Sequence, residues 1–156
     1  MGEPSPGAVA REIIDDNQYM VLATADEAGR PWASPVYFAH SGYAGFFWVS
    51  SPEATHSRNI AVRPQVGIAI FNSQAPIGTG QGVYMTAEAE EVTGAEVARG
   101  IEVFSHRSLA HGGVAWTPED VGEATGIRLY RARAAEHSIL AKDGQPDHRI
   151  PADPES

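Results

Sequence analysis

Apolar and polar positions recur with two different periods along this chain of 156 residues, and the switches between periods divide it into elements. Val9, Ala10, Ile13 and Ile14 fall at helical spacing behind Ser5 and Pro6, which suit an N-cap and a first helical position, so a short amphipathic helix is predicted there. Tyr19 to Ala25 is apolar and β-prone until the polar stretch Asp26 to Pro31 breaks it. Trp32 to Phe38 is a second run, and Ser41 to Gly45 turns it into a third, Phe46 to Ser50, giving a three-strand meander. Thr55 to Val62 reads as a short helix stopped by Arg63 and Pro64. Val66, Ile68 and Ile70 then alternate with Gly67, Ala69 and Phe71 as a strand does. The loop Pro76 to Gly82 leads into another strand, Val83 to Val92. Thr93 with Glu96 has the form of a capping box before a helix whose face is Val97, Ile101 and Phe104, and Thr117, Pro118 and Asp120 open a further helical turn. The last strand, Gly126 to about Leu140, carries Arg128, Arg131 and Arg133. Residues 1–7 and 143–156 are polar and proline-containing, and are expected to be extended or flexible tails.

Five or six strands joined mostly by tight turns, with two or three inserted helices, predict a mainly β protein built as a small antiparallel barrel. A one-sided α+β sheet is the alternative. The length suits one domain over residues 1–156, with enough chain to bury a core.

Composition changes the picture mainly by exclusion. Hydrophobic residues make up 42% and charged residues 20%, the balance of a chain that folds. A net charge of −9 repels a nucleic-acid backbone, and no block of Lys or Arg offsets it locally. The absence of cysteine excludes disulfides, thiolate metal sites and cysteine nucleophiles together. The opening MGEPSPG lacks the basic and apolar regions of a signal peptide, and no apolar run reaches membrane-spanning length. The expectation is a soluble cytoplasmic protein with no membrane partner.

Few residues then remain as candidates for chemistry. The six histidines show no metal-ligand spacing such as HExxH, so no metal site is expected. No serine sits in a GxSxG elbow. The glycine-rich GTGQG at residues 78–82 lacks a following Lys-Ser/Thr and precedes a strand, so it reads as a hairpin loop. The segment SSPEATHSRNI, Ser50 to Ile60, is different. A helix N-terminus offers unpaired amides and a partial positive charge, to which Thr55 and Ser57 add hydroxyls, His56 an imidazole and Arg58 a planar fork suited to phosphate. The competing reading has Ser50 or Ser51 cap the helix, with Glu53 closing the box and Arg58 solvated. Both readings fit the spacing. The aromatic residues Trp32, Tyr37, Phe46, Phe47 and Trp48 suit a core, and a groove edged by such rings also accepts a planar heterocycle.

The ordered set Leu22 to Phe38, Phe46 to Pro52, His56 to Ile60, Arg63 to Phe71 and Gly82 to Val92 resembles the pyridoxamine 5′-phosphate oxidase-like, FMN-binding split-barrel superfamily. The ending around Leu129 to Leu140, with Asp147 to Pro151, has the same look, so the resemblance spans roughly Tyr19 to Pro151. It implies a split β-barrel that pairs as a homodimer with cofactor sites at the interface. By that similarity Ala33, Ser34, Pro35 and Val36, with Val49, Ser50 and Ser51, contact the isoalloxazine and ribityl chain. Thr55, His56, Ser57 and Arg58 hold the phosphate. Many flavin-binding members place Lys or Arg where His56 stands, which leaves a deazaflavin open beside FMN. His137 and Arg149 resemble the C-terminal substrate-phosphate residues that one subunit lends its partner, while a solvated tail is the simpler reading of Arg149. The function implied is a flavin- or deazaflavin-dependent oxidoreductase acting on a small or medium organic substrate, with hydride chemistry supplied by the cofactor. The alternative is a non-enzymatic binder of flavin, haem or a hydrophobic ligand, in which His137 or a tail histidine is the only iron ligand to name.

Overall fold

The computed structural model describes residues 2–156. Helix α1 (Pro6–Asp16) starts as its sequence dictates, with Ser5 Oγ accepting from the Ala8 amide at 3.1 Å and proline in the first turn. Its apolar stripe, Ala10 and Ile14, is fully buried. Strand β1 (Tyr19–Ala25) buries Met20, Leu22 and Thr24, the alternation of a strand with one face on a core. There follow β2 (Pro31–Tyr37), β3 (Ala39–Ser41), β4 (Gly45–Ser50), α2 (Thr55–Val62), β5 (Gln65–Phe71), β6 (Gly82–Glu91), α3 (Glu96–Ala110), a single 3-10 turn at Pro118–Asp120, β7 (Arg128–Leu140) and β8 (Arg149–Pro151).

Among the described residues eight strands form one antiparallel sheet in the order β2-β1-β5-β6-β7-β4-β3, with β8 added beside the second half of β7. The two edge strands are joined through Phe38, so the sheet curls back on itself into a half-barrel, as a split barrel requires. Inside it lie Leu22, Phe46, Trp48, Ile68, Ile70, Val83 and Met85, closed by α1. A second apolar cluster, Phe47, Ile101, Phe104 and Leu129, fastens α3 to the outside of β4 and β7. Fully burying side chains of this size is worth about 1.5–3 kcal/mol each, so these two clusters carry most of the fold's cohesion. Gly100 lets α3 approach closely, since a Cβ there would stand 2.7 Å from Leu129 Cδ2.

Two expectations change. The Thr93–Glu96 capping box does not form: α3 begins at Glu96 behind Ala95 without a side-chain cap, and Glu96 pairs with Arg131 at 3.0 Å instead. The box at Thr117 does form with Asp120. Residues 149–156 are not a loose tail. Ile139 faces Ile150 in the β7–β8 pairing, Ala152 and Pro154 are buried, and Arg11 Nη1 donates to the Pro154 and Ser156 carbonyls, the former at 2.5 Å. Gly7 permits this docking, because a Cβ there would sit 2.0 Å from the Asp153 carbonyl oxygen.

Candidate functional site

Strand β4 runs out at Ser50 and the chain turns through Ser51 to Ala54 into α2. Ser51 Oγ accepts from the Glu53 amide at 3.1 Å, which shapes the turn and leaves the helix to begin behind Ala54. No side chain caps α2, so neither serine reads as its N-cap. Its first-turn amides therefore carry the partial positive charge of a helix start with no side chain to accept from them. His56 Nε2 and Ser50 Oγ are 3.0 Å apart, tying helix to strand end, and burial holds the imidazole below its ordinary value of 6.5, neutral at pH 7. Arg58 is exposed and donates through Nη2 to Glu53 Oε2 at 2.7 Å. Thr55 is exposed, while Ser57 is buried and turns inward beside Tyr130.

The helix is anchored from behind. Asn59 Nδ2 donates to Thr24 Oγ1 at 3.0 Å, both groups being buried, so Asn59 ties α2 to β1. Arg63, just past the C-terminus, donates to the Asp26 and Glu27 carbonyls at 3.1 and 3.2 Å, fixing the β1–β2 turn to the same helix.

Among the described residues edge strand β2 pairs only with β1, Ala33 opposite Ala23 and Ser34 opposite Leu22, and its other edge has no strand beside it. The pleat divides the four residues of interest: Ala33 and Pro35 are exposed, Ser34 is half-buried, and Val36 packs on the barrel core. Helix α2 packs on β1 and β2, and Val49 shares an apolar cluster with Tyr37, so the strand end, helix start and edge strand share one region. None of the eleven residues lines any of three cavities of about 840, 440 and 790 Å³. In one chain this region is an open surface.

His137 and Arg149 line the 840 Å³ cavity, between the β3–β4 turn and β8. His137 Nε2–H donates to the Tyr43 carbonyl at 2.7 Å, and the Arg149 guanidinium lies 3.8 Å over the Tyr84 ring, so Arg149 is stacked and not simply solvated. The three arginines of β7 face carboxylates of β6 and α3: Arg131 meets Glu90 at 2.7 Å, Arg133 meets Glu90 at 3.0 Å, and Arg128 lies 3.9 Å from Glu91. Two groupings escape sequence reasoning. Tyr37 Oη lies 2.7 Å from His111 Nδ1, and Asp15 bonds both His40 Nε2 at 2.9 Å and the Tyr43 hydroxyl at 2.6 Å. Their members are far apart in the chain, and only the spacing of His40 and Tyr43 across one turn offered a signal. Among the described residues no group of three or more His, Cys, Asp or Glu could hold a metal ion, and no helix is long and apolar enough to cross a membrane.

A curled antiparallel sheet with a helix entering at the end of β4 is the architecture of a split-barrel protein. The model of the pyridoxamine 5′-phosphate oxidase family matches residues 7–139, and the chain belongs to that family. Solved structures agree on the fold. A heme binding protein from Mycobacterium smegmatis superposes with a TM-score of 0.72 at 23% identity, over 97% of this chain and 60% of that one. The chain thus spans about 60% of that protein's length. The heme storage protein HutZ of Vibrio cholerae gives 0.68 at 21% identity, over 85% of this chain and 92% of that one. An F420 reductase gives 0.62 at 15%, over 88% and 98%. No curated protein sequence matches the chain.

Proposed function

We propose that the protein is a homodimeric flavin- or deazaflavin-dependent oxidoreductase whose cofactor phosphate docks at the start of α2. The observation that carries this reading is the uncapped N-terminus of α2, flanked by Ser50, Thr55 and His56 and within reach of Arg58. The residues fit the phosphate end of such a cofactor. The amides of Thr55, His56 and Ser57 supply donors, Ser57 through its backbone alone, and Thr55 adds a hydroxyl. Arg58 is held only by an exposed ion pair, of a kind worth about 0.2–1 kcal/mol, so exchanging Glu53 for a phosphate costs little. The free edge of β2, with small Ala33 and Ser34, offers backbone groups to the polar rim of a flat ring, and Val49 an apolar contact. A second subunit over this open surface would turn it into a cavity, which is why the reading includes a dimer.

When bound, the cofactor supplies hydride transfer. The chain's part is then to fix the phosphate, align the ring along β2 and exclude water, and none of these tasks needs an acid–base residue. Arg58→Ala combined with His56→Ala is expected to weaken FMN or deazaflavin binding at least tenfold, since each charge-assisted bond lost is worth about 1.5–3 kcal/mol. Equal affinity in the double variant overturns the phosphate assignment.

A second reading is a binder without turnover. Its support is that neutral His56 and the Glu53 contact leave no unpaired fixed charge at the corner, and that two proteins of similar structure are a heme binding protein and a heme storage protein. Against a haem version, His137 already commits Nε2 to Tyr43. Oxidation of a nicotinamide or reduced deazaflavin by the loaded protein separates the readings, because a carrier binds and does not turn over.

A further inference from the structure

The turn between β3 and β4 is one thin wall between two cavities. His40 and Ser41 line the 440 Å³ cavity with Arg99, Glu102, His106 and Arg107 of α3, while Gly42, Tyr43 and Ala44 line the 840 Å³ cavity on the other side. Tyr43 is the one non-glycine residue with a positive φ among the described residues, at 59°, a conformation disfavoured for any side chain bearing a Cβ. Its surroundings over-determine it. The Tyr43 amide donates to His40 Nδ1 at 3.1 Å, its ring stacks on the His40 imidazole at 4.3 Å, its hydroxyl donates to Asp15, and its carbonyl accepts from His137.

These contacts fix the tautomer of His40. Nδ1 must carry a lone pair to accept from Tyr43, so the proton sits on Nε2 and is donated to Asp15 Oδ1 at 2.9 Å. We propose that His40 is a proton-operated latch: a proton arriving at Nδ1 removes the acceptor that holds the Tyr43 amide, and the turn relaxes out of its left-handed conformation, reshaping the 840 Å³ cavity and freeing His137. The balance is simple. Solvent supplies the proton, one Nδ1–H bond forms, one hydrogen bond breaks, and the bond to Asp15 survives as an ion pair.

The groups facing His40 set where this happens. Asp15 on α1 favours the charged ring, and Arg107 on α3 opposes it, with Arg99, Glu102 and His106 around the adjoining cavity and apolar Phe46 at 5.8 Å from β4. Arg11 on α1 acts on Tyr43. Burial is the largest influence and holds His40 below 6.5, so the latch is shut at neutral pH and opens on acidification.

The test is NMR on the intact wild-type chain from pH 7.5 to 5. The His40 ring resonances are expected to titrate with a midpoint below 6.5, and protection of the Tyr43 amide against exchange, corrected for its intrinsic rate, to fall roughly fivefold or more with the same midpoint. His40→Asn keeps an acceptor that does not titrate, so protection at this turn should stay flat across the range. Titration of His40 without loss of protection at Tyr43 overturns the proposal, as does the same pH response in His40→Asn.

Discussion

Helix α1 ends without a basic residue in its last turn, and the cation that completes it comes from ninety residues away. Arg107 Nη2 donates to the Ile14 and Asn17 carbonyls at 3.1 and 2.8 Å, Nη1 donates to the Phe38 carbonyl at 2.5 Å, and the guanidinium lies 4.3 Å over the Phe38 ring. One side chain thus joins α1, α3 and the link between the two sheet edges. Arg107→Met keeps the apolar stem and removes all three bonds. Hydrogen bonds to charged groups contribute about 1.5–3 kcal/mol each, but these carbonyls are only partly buried and recover some water, so the expected loss is about 3 kcal/mol. At about 2–4 °C per kcal/mol for a chain of this size, Tm should fall by about 6–12 °C. Arg107→Lys retains one point charge without the fork and should recover less than half of that. Scanning calorimetry, with urea unfolding to show an unchanged m-value, measures both. A Met variant melting within about 2 °C of wild type would show that the carbonyls are satisfied by water and that the cap is incidental.

Acid should destabilise the fold before its carboxylates titrate. Burial holds His40, His56 and His111 below 6.5 in the folded chain, so the unfolded chain binds more protons once the pH drops below 6.5; stability present above that pH is lost as it falls toward the folded values. Tm measured between pH 8 and 5 should decline from about 6.5 downward, and less so in a His40→Gln, His56→Gln double variant; a flat profile contradicts it. Gly7→Val should undock residues 149–156, seen as faster amide exchange there, with β1 and β5 unaffected. Asn59→Leu strands the buried Thr24 hydroxyl and should cost about 1–3 kcal/mol in urea unfolding, whereas no change would place water in that contact.

How far these features were legible depends on the range of the forces behind them. β1 and α2 were readable to the residue because alternation and a Pro stop are local signals. β3 was not, since Ala39–Ser41 is too short to show a period and exists by pairing with β4. The Thr93 box failed because α3 starts behind Ala95, and Glu96 pairs with Arg131 of β7 instead. Residues 149–151 looked like surface until β7 offered an edge and Gly7 a gap. At the candidate site the sequence located the helix start and its donors, but not that Ser57 turns inward or that Glu53 holds Arg58. Those are choices of rotamer, decided by neighbours no spacing reveals. The Asp15–His40 bond and the Arg107 cap join residues 25 to 93 positions apart, and of the contacts around Tyr43 only the one to His40, three residues away, had a local trace.

The central claim, that an anion completes the start of α2, is tested most directly by comparing FMN with riboflavin, which share the ring and differ by the phosphate. Fluorescence titration of the purified protein should give FMN at least a tenfold lower Kd than riboflavin, equivalent to about 1.4 kcal/mol, with the advantage reduced in Arg58→Ala. Equal affinities for the two, with or without Arg58, would contradict it.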